Sequence, residues 1–326
     1  MVPTIRQDCI LEFLSVWKNL DWIILMVEDN PTRTIKITQS MPYFGHYNEF
    51  IGPNSVIHYS WKEIDEELGE KSWIISRHDT AIKSFGFWRA YMMGADYIFV
   101  LDDDCLPIAG VDHIAEHLNK LENTTRWTES VPGQRTRGLP YQNRGGCANV
   151  ALSMGLWEGI PDFDSVYTLG ANPPSEIQLP KHNFLVAQGQ YCPLCGMNLC
   201  FKREIAPLMY FPLMGDGQPF RRFDDIWCGI IAKKVMDHLG LLVSVGKPMI
   251  HHKKASNVFT NLVAEASGIA ANEHFWETID AISLTKHTVL SCMIEVGEGL
   301  EASMDSYLKK LGQAILIWSS LYSLAL

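Results

Sequence analysis

Positive charge is in short supply in this sequence. Lys and Arg total 27 against 37 Asp and Glu, a net charge of −10. That balance opposes non-specific attraction to a phosphate backbone, so nucleic acid is not an expected partner. No apolar run is long enough to span a bilayer; the most apolar stretch, Ala314 to Leu326, is too short. No charged–apolar–small leader pattern stands at the start, where Met1 to Gln7 run straight into a mixed segment. The expected compartment is therefore the cytoplasm. There is no internal repeat and no low-complexity tract. Cysteine is present eight times, but Cys192-Pro-Leu-Cys195 has no second Cys-x-x-Cys to complete four zinc ligands. Free thiols in a reducing compartment are the expected state.

What is present is a large α/β pattern. The 326 residues, 47% hydrophobic and 20% charged, suffice for one large domain. Tyr97-Ile98-Phe99-Val100-Leu101 reads as a strand buried on both faces of a parallel sheet, and it ends in Asp102-Asp103-Asp104. Ligands of such sheets sit beyond the carboxyl ends of the strands. Three adjacent carboxylates repel one another, so a cation is expected there: a divalent ion sharing its oxygens with a phosphorylated ligand. Asp21 to Val27 forms a second buried-strand pattern and stops at Glu28-Asp29-Asn30-Pro31, where a nucleotide's base and ribose are expected. A plain acidic turn is the competing reading at both places.

Further along, residues 1–18 read as a short helix. Asp79 is placed to N-cap a helix through Met93, with Lys83 one turn inside it. Ile114, Leu118 and Leu121 mark the buried stripe of another helix. Arg126, Arg135, Arg137 and Arg144 fall in one Gly-containing loop, suited to binding phosphate or, equally, to being solvated. Gly215-Asp216-Gly217 suits a loop wrapped close around a ligand. Asp224 can N-cap a helix that ends at Gly240, leaving Asp225 free for chemistry. Leu241 to Val245 and Met249 to His252 read as two strands; His251 and His252 point to opposite faces, so at most one can reach a metal. Residues 297–326 read as one C-terminal helix, with Leu300, Met304, Leu308, Leu311 and Ile315 on its apolar face.

Several of these segments occur together in one family. Asp29-Asn30-Pro31-Thr32-Arg33, Ser84-Phe85-Gly86-Phe87, Asp102-Asp103-Asp104-Cys105, Arg137-Gly138-Leu139-Pro140-Tyr141 and Ser153-Met154-Gly155-Leu156-Trp157 are among them. So are Cys195-Gly196-Met197-Asn198-Leu199, Leu213-Met214-Gly215-Asp216-Gly217-Gln218-Pro219, Arg222-Phe223-Asp224-Asp225-Ile226-Trp227 and His252-Lys253-Lys254-Ala255-Ser256-Asn257. Together they resemble the reversibly glycosylated polypeptide family, which includes the plant UDP-arabinopyranose mutases. The resemblance spans roughly residues 22–276 and leaves the C-terminal fifty or so unmatched. The turn Glu28-Asp29-Asn30-Pro31 and the short arginine loop depart from the family pattern.

The resemblance implies an α/β, GT-A-like single domain over residues 1–285, with a mostly parallel central sheet flanked by helices, and a C-terminal helical extension over 286–326. It implies a UDP-sugar ligand, Mn²⁺ or Mg²⁺, and a homo-oligomer. The metal ligands would be Asp102, Asp104 and His252. Glu28, Asp29, Asp79, Lys83, Asp102, Asp103, Asp216 and Gly217 would contact the nucleotide sugar. Asp224 and Asp225 would exchange protons with sugar hydroxyls. Arg137 and Arg144 would clamp the diphosphate, or Arg137 would capture the anomeric carbon, as the resemblance implies. An arginine stays protonated and is a poor nucleophile, which favours the clamp. The expected activity is a mutase. The alternatives are transfer of the sugar to an acceptor (a glycan, a small molecule, a protein or modified DNA) and a non-catalytic subunit.

Overall fold

The computed structural model describes residues 1–17, 21–37, 43–44, 55–131, 134, 137–142, 145–171, 179–253 and 257–323. Runs of Val, Ile, Leu and Tyr build its strands, and helices cover them; the one over Lys83–Met92 has eight consecutive residues, Lys83 to Ala90, buried. In chain order the elements are β1 (Val2–Thr4), α1 (Gln7–Trp17), β2 (Ile24–Glu28), β3 (Tyr43–Phe44), β4 (Val56–Tyr59), α2 (Trp61–Leu68), α3 (Lys83–Met92) and β5 (Tyr97–Leu101). There follow β6 (Cys105–Pro107), α4 (His113–Asn123), β7 (Val150–Gly159), α5 (Ser165–Gly170), β8 (Phe184–Leu185), β9 (Asn198–Lys202), α6 (Asp224–Leu239), β10 (Leu242–His252), α7 (Val258–Asp280), α8 (Val289–Glu301) and α9 (Ser306–Ser323). Among the described residues no helix is long and apolar enough to cross a membrane.

The strands form a four-stranded sheet, β1-β2-β4-β3, and a six-stranded sheet, β5-β9-β7-β10-β6 with β8 on β10. All pairs of the first are parallel. The second corrects the expectation of a mostly parallel sheet. Among the described residues its one parallel pair is β7 with β10, and β5 lies antiparallel to β9. The unbroken apolar run of β5 reports burial on both faces; it carries no information on the direction of its neighbours. The two sheets meet at β1. Leu101 N–H donates to Met1 O at 3.1 Å, and the Met1 nitrogen to Phe99 O at 2.6 Å. That is the pattern of a parallel bridge. Consequently β1, β2, β4, β5, β7 and β10 all end on one rim, and antiparallel β9 begins there.

Other expectations need adjustment. The N-terminal segment holds β1 as well as α1; a strand of three residues containing Pro3 leaves no periodicity to read. The two strands expected between Leu241 and His252 are one, β10, whose register shifts on either side of Pro248. The buried stripe of α4 is His113, His117, Lys120 and Leu121, whereas Ile114 and Leu118 are half-buried. The sheet beneath offers polar partners: Asn198 Oδ1 meets His113 Nε2 at 2.9 Å and His117 Nε2 at 3.0 Å, and Lys120 donates to Met154 O at 3.0 Å.

The single helix expected over 297–326 is the end of α8, a turn, and α9. Asp305 makes the break by accepting from Tyr307 N and Leu308 N, each at 2.9 Å, and Met304 is fully exposed in that turn. The hairpin packs on the core of the molecule. Trp318 Nε1 donates to Pro207 O at 2.9 Å, and Tyr307 Oη to Leu213 O at 2.8 Å. One buried apolar cluster runs from Leu25 to Tyr322.

Candidate active site

The turn after β5 sends its three carboxylates in different directions. Asp102 Oδ1 is 2.6 Å from Lys83 Nζ. Asp103 turns inward under β1, where Thr4 Oγ1 donates to it at 2.6 Å and the Arg6 guanidinium pairs with it. Asp104 accepts from Arg6 Nη2 at 3.0 Å, and its other oxygen lies 3.8 Å from His252 Nε2. The cations that relieve this cluster are thus the chain's own Lys83 and Arg6. Among the described residues no three His, Cys, Asp or Glu side chains are gathered closely enough to hold a metal ion.

His252 is nevertheless oriented as a ligand would be. Its Nδ1 meets the Ile160 carbonyl at 2.8 Å, which makes Nδ1 the donor and turns Nε2 toward Asp104. His251, on the other face of β10, is exposed.

Lys83 opens α3, and it is almost fully buried. The Asp79 side chain caps the preceding 3-10 turn, Thr80–Ile82, by accepting from Ala81 N at 3.2 Å. Besides Asp102, Lys83 Nζ reaches the Gly196 carbonyl at 3.0 Å, and the Gly196 N–H donates to Asp225 Oδ2 at 2.7 Å. A Cβ on Gly196 would stand 3.0 Å from that ammonium, so any larger residue would have to displace it. Burial opposes the charge on Lys83. The Asp102 carboxylate, with Asp224 and Asp225 behind it, more than compensates and holds the ammonium above its ordinary value.

Three carboxyls beside Lys83 are pushed toward protonation. Asp225 rises to about 7, from burial first and then from Asp224. Asp224 is raised by burial, against Lys83 and the Thr80 hydroxyl that donates to it at 2.7 Å. Asp79 is raised by burial and by Asp224.

The remaining expected contacts are placed elsewhere or are already engaged. Glu28 is fully buried. It meets His58 Nε2 at 2.7 Å, accepts from Asn30 Nδ2 and Thr34 N at 2.9 Å, and also takes the Ile35 N–H. Burial opposes its ionisation, but the bonds from Thr34, Asn30 and Ile35 prevail and hold it below the usual carboxylate range. Asp29 accepts from Trp61 Nε1 at 2.7 Å, His78 N at 3.1 Å and Asp79 N at 3.0 Å, which ties the β2 turn to the Asp79 segment. Asp216 is exposed and pairs with His78 and Arg221. Gly217 is exposed with φ at 71°.

Arg137 is exposed and makes no ion pair among the described residues; Arg135 and Arg144 lie outside them. The arginine loop closes at its base through Ala148 N to Thr124 O, 2.6 Å, and a bridge between Thr125 and Cys147. That base adjoins the start of β7, whereas His252 pairs with Gly159 at its far end. Arg6, Thr4, Thr80 and Gly196 were not legible in advance as parts of this site. Their only signal was position: Gly196 lies in a motif, and the others are isolated polar residues.

Fold and rim together define an α/β protein with an acidic, lysine-countered site at the carboxyl end of its parallel strands. A family model described as "reversibly glycosylated polypeptide" matches residues 1–325, and the chain belongs to that family. The match reaches through α8 and α9, which corrects the expectation that likeness stops near residue 276. Among similar proteins are UDP-arabinopyranose mutase 1 of Arabidopsis thaliana, 34% identical over 98% of this chain and 90% of its own length. Probable UDP-arabinopyranose mutase 1 of Solanum tuberosum is 34% identical over 98% of this chain and 88% of its own. That of Zea mays is 35% identical over the same shares.

Proposed function

We propose that this protein is a UDP-sugar mutase of GT-A-like architecture that interconverts the six- and five-membered ring forms of a UDP-linked pentose, arabinose in the first instance. The observation that supports this most directly is the juxtaposition, at one rim, of a phosphate- and metal-type corner with a proton-exchanging one. Asp104 and His252 form the first corner; Asp79, Asp224 and Asp225 form the second; Lys83 and the Gly196 peptide join them. Family membership over the whole chain agrees with it.

The donor set at Asp104 and His252 fits a divalent cation in part. One carboxylate and one oriented imidazole are too few alone, but such ions commonly take their other ligands from substrate phosphate and water. Asp104 and His252 would hold Mn²⁺ or Mg²⁺, and the ion would neutralise charge on the departing diphosphate. Lys83 pairs with Asp102 and fixes the Gly196 peptide against Asp225. Asp225, raised to about 7, is suited to exchange protons near neutrality. Arg137 and Arg144 remain the residues proposed for the diphosphate or the anomeric carbon; to act here, their loop must reach over from the other end of β7.

The deciding experiment mixes the protein with UDP-arabinopyranose and Mn²⁺ without any acceptor. Appearance of UDP-arabinofuranose supports the mutase. Release of UDP alone counts against it and for transfer.

A further inference from the structure

Changing a six-membered sugar ring into a five-membered one moves no net proton. The bond between the anomeric carbon and the ring oxygen breaks, its electron pair stays on that oxygen, and the oxygen takes up a proton. A lone pair on a hydroxyl oxygen of the same sugar closes the smaller ring on that carbon, and that hydroxyl gives up its proton. The site must deliver one proton, collect another, and serve equally in reverse. Two carboxyls that hold one proton between them do both without resetting through solvent.

Asp79 and Asp224 are built as such a pair. Asp79 accepts from Ala81 N at 3.2 Å and feels the nearby charge of Arg222, two residues before Asp224. Asp224 accepts from the hydroxyl of Thr80, the residue after Asp79. The segment that carries Asp79 therefore holds the Asp224 carboxyl. His78, adjacent to Asp79, and Arg222 are the non-glycine residues with positive φ among those described, at 52° and 64°. Holding side-chain-bearing residues there costs energy, and the two strained positions lie beside Asp79 and two residues before Asp224. Asp224 is buried and Asp79 half-buried, which makes Asp79 the end open to a ligand. Lys83 faces the pair from α3, Arg222 from the preceding loop, Asp225 and Cys228 from α6, and Tyr307 from α9.

We infer that Asp79, with Asp224 as its buried partner, is a catalytic acid–base residue of the ring interconversion. This assignment rests on the mutase reading and replaces the expected role of Asp79 as a nucleotide contact.

The test is Asp79→Asn in the full chain. Asparagine caps a helical turn as well as aspartate does, so the backbone at Ala81 keeps its partner while the shared proton is lost. The expected result is kcat for UDP-arabinopyranose conversion reduced about 100-fold or more, unchanged binding of UDP, and loss of one limb of the kcat–pH profile. Asp79→Ser, a second capping residue, should lose conversion in the same way and guards against a folding defect peculiar to one variant. If wild type converts the sugar and either folded variant keeps most of its kcat, the inference is overturned while the mutase reading stands. If wild type binds UDP but never converts the sugar, the mutase reading fails and takes this assignment with it.

Discussion

Lys83 gives up nearly all contact with water and replaces it with the Asp102 carboxylate at 2.6 Å and the Gly196 carbonyl at 3.0 Å. Removing the cation while leaving its partners in place strands a partly buried negative charge. Lys83→Met should therefore cost on the order of 3–5 kcal/mol in denaturant unfolding. Asp225 shows the opposite bias. Its folded-state value of about 7 lies above the ordinary 3.8, so the folded chain holds a proton that the unfolded chain has released. Stability falls as pH rises from about 4 to about 7 and then levels off. Asp225→Asn should accordingly stabilise the protein more at about pH 8 than at about pH 4, in unfolding measured at both, while lowering turnover. At the corner proposed for a metal, His252→Ala should abolish any dependence of UDP binding on Mn²⁺ in calorimetry, because Asp104 alone is a poor site. The carboxylates were easy to see in the sequence, since three in a row after a strand are conspicuous. Of their counter-ions, Lys83 was placed at the site from the sequence and Arg6 was not. Arg6 and Thr4 reach Asp103 across nearly a hundred residues of chain, and no local pattern announces a pairing of that span.

At the scale of elements, α4 is held by hydrogen bonds as much as by apolar packing. Asn198 Oδ1 accepts from two imidazoles, and Ser153 Oγ completes the set at 2.7 Å from His117 Nδ1. Burial first, then nearby Lys120, depresses His113 to about 4 despite the bond to Asn198, and His117 is lowered as well. Between about pH 6.5 and 4 the unfolded chain binds protons that the folded chain refuses. Stability is complete above the upper limit and is lost on acidification through that window, by about 3 kcal/mol from His113 alone. Unfolding free energies measured across that window should show the slope, and His113→Phe should flatten it. The helical pattern of α4 was correct in the sequence while its buried face was not, because the periodicity of apolar residues cannot register a stripe of histidines and lysine. The same limit hid the break before α9. Leu300, Leu308, Leu311 and Ile315 keep helical spacing across a turn that only the capping by Asp305 reveals. Where α8 and α9 cross, a Cβ on Gly312 would stand 2.6 Å from Gly297 O. Gly312→Ala should push the helices apart and cost about 1–3 kcal/mol, read as a fall in Tm.

At the scale of the molecule, the family assignment came from motifs spread along the chain, and the parallel half of the architecture followed from it. The mixed half did not, since strand direction is decided by connections that local sequence does not encode. If the rim takes UDP with a divalent ion, both together should raise Tm more than either alone, with EDTA reversing the gain, because only the folded chain presents Asp104 and His252 side by side.

The seam between the two sheets runs through a strand of three residues, and its neighbour Arg6 grips Asp103 and Asp104 at once. An occupant that drew Asp104 over to His252 would loosen one finger of that grip. The suture at Met1 and Leu101 would feel the change, so exchange of the Leu101 amide with deuterium offers a remote gauge of whether the rim is filled.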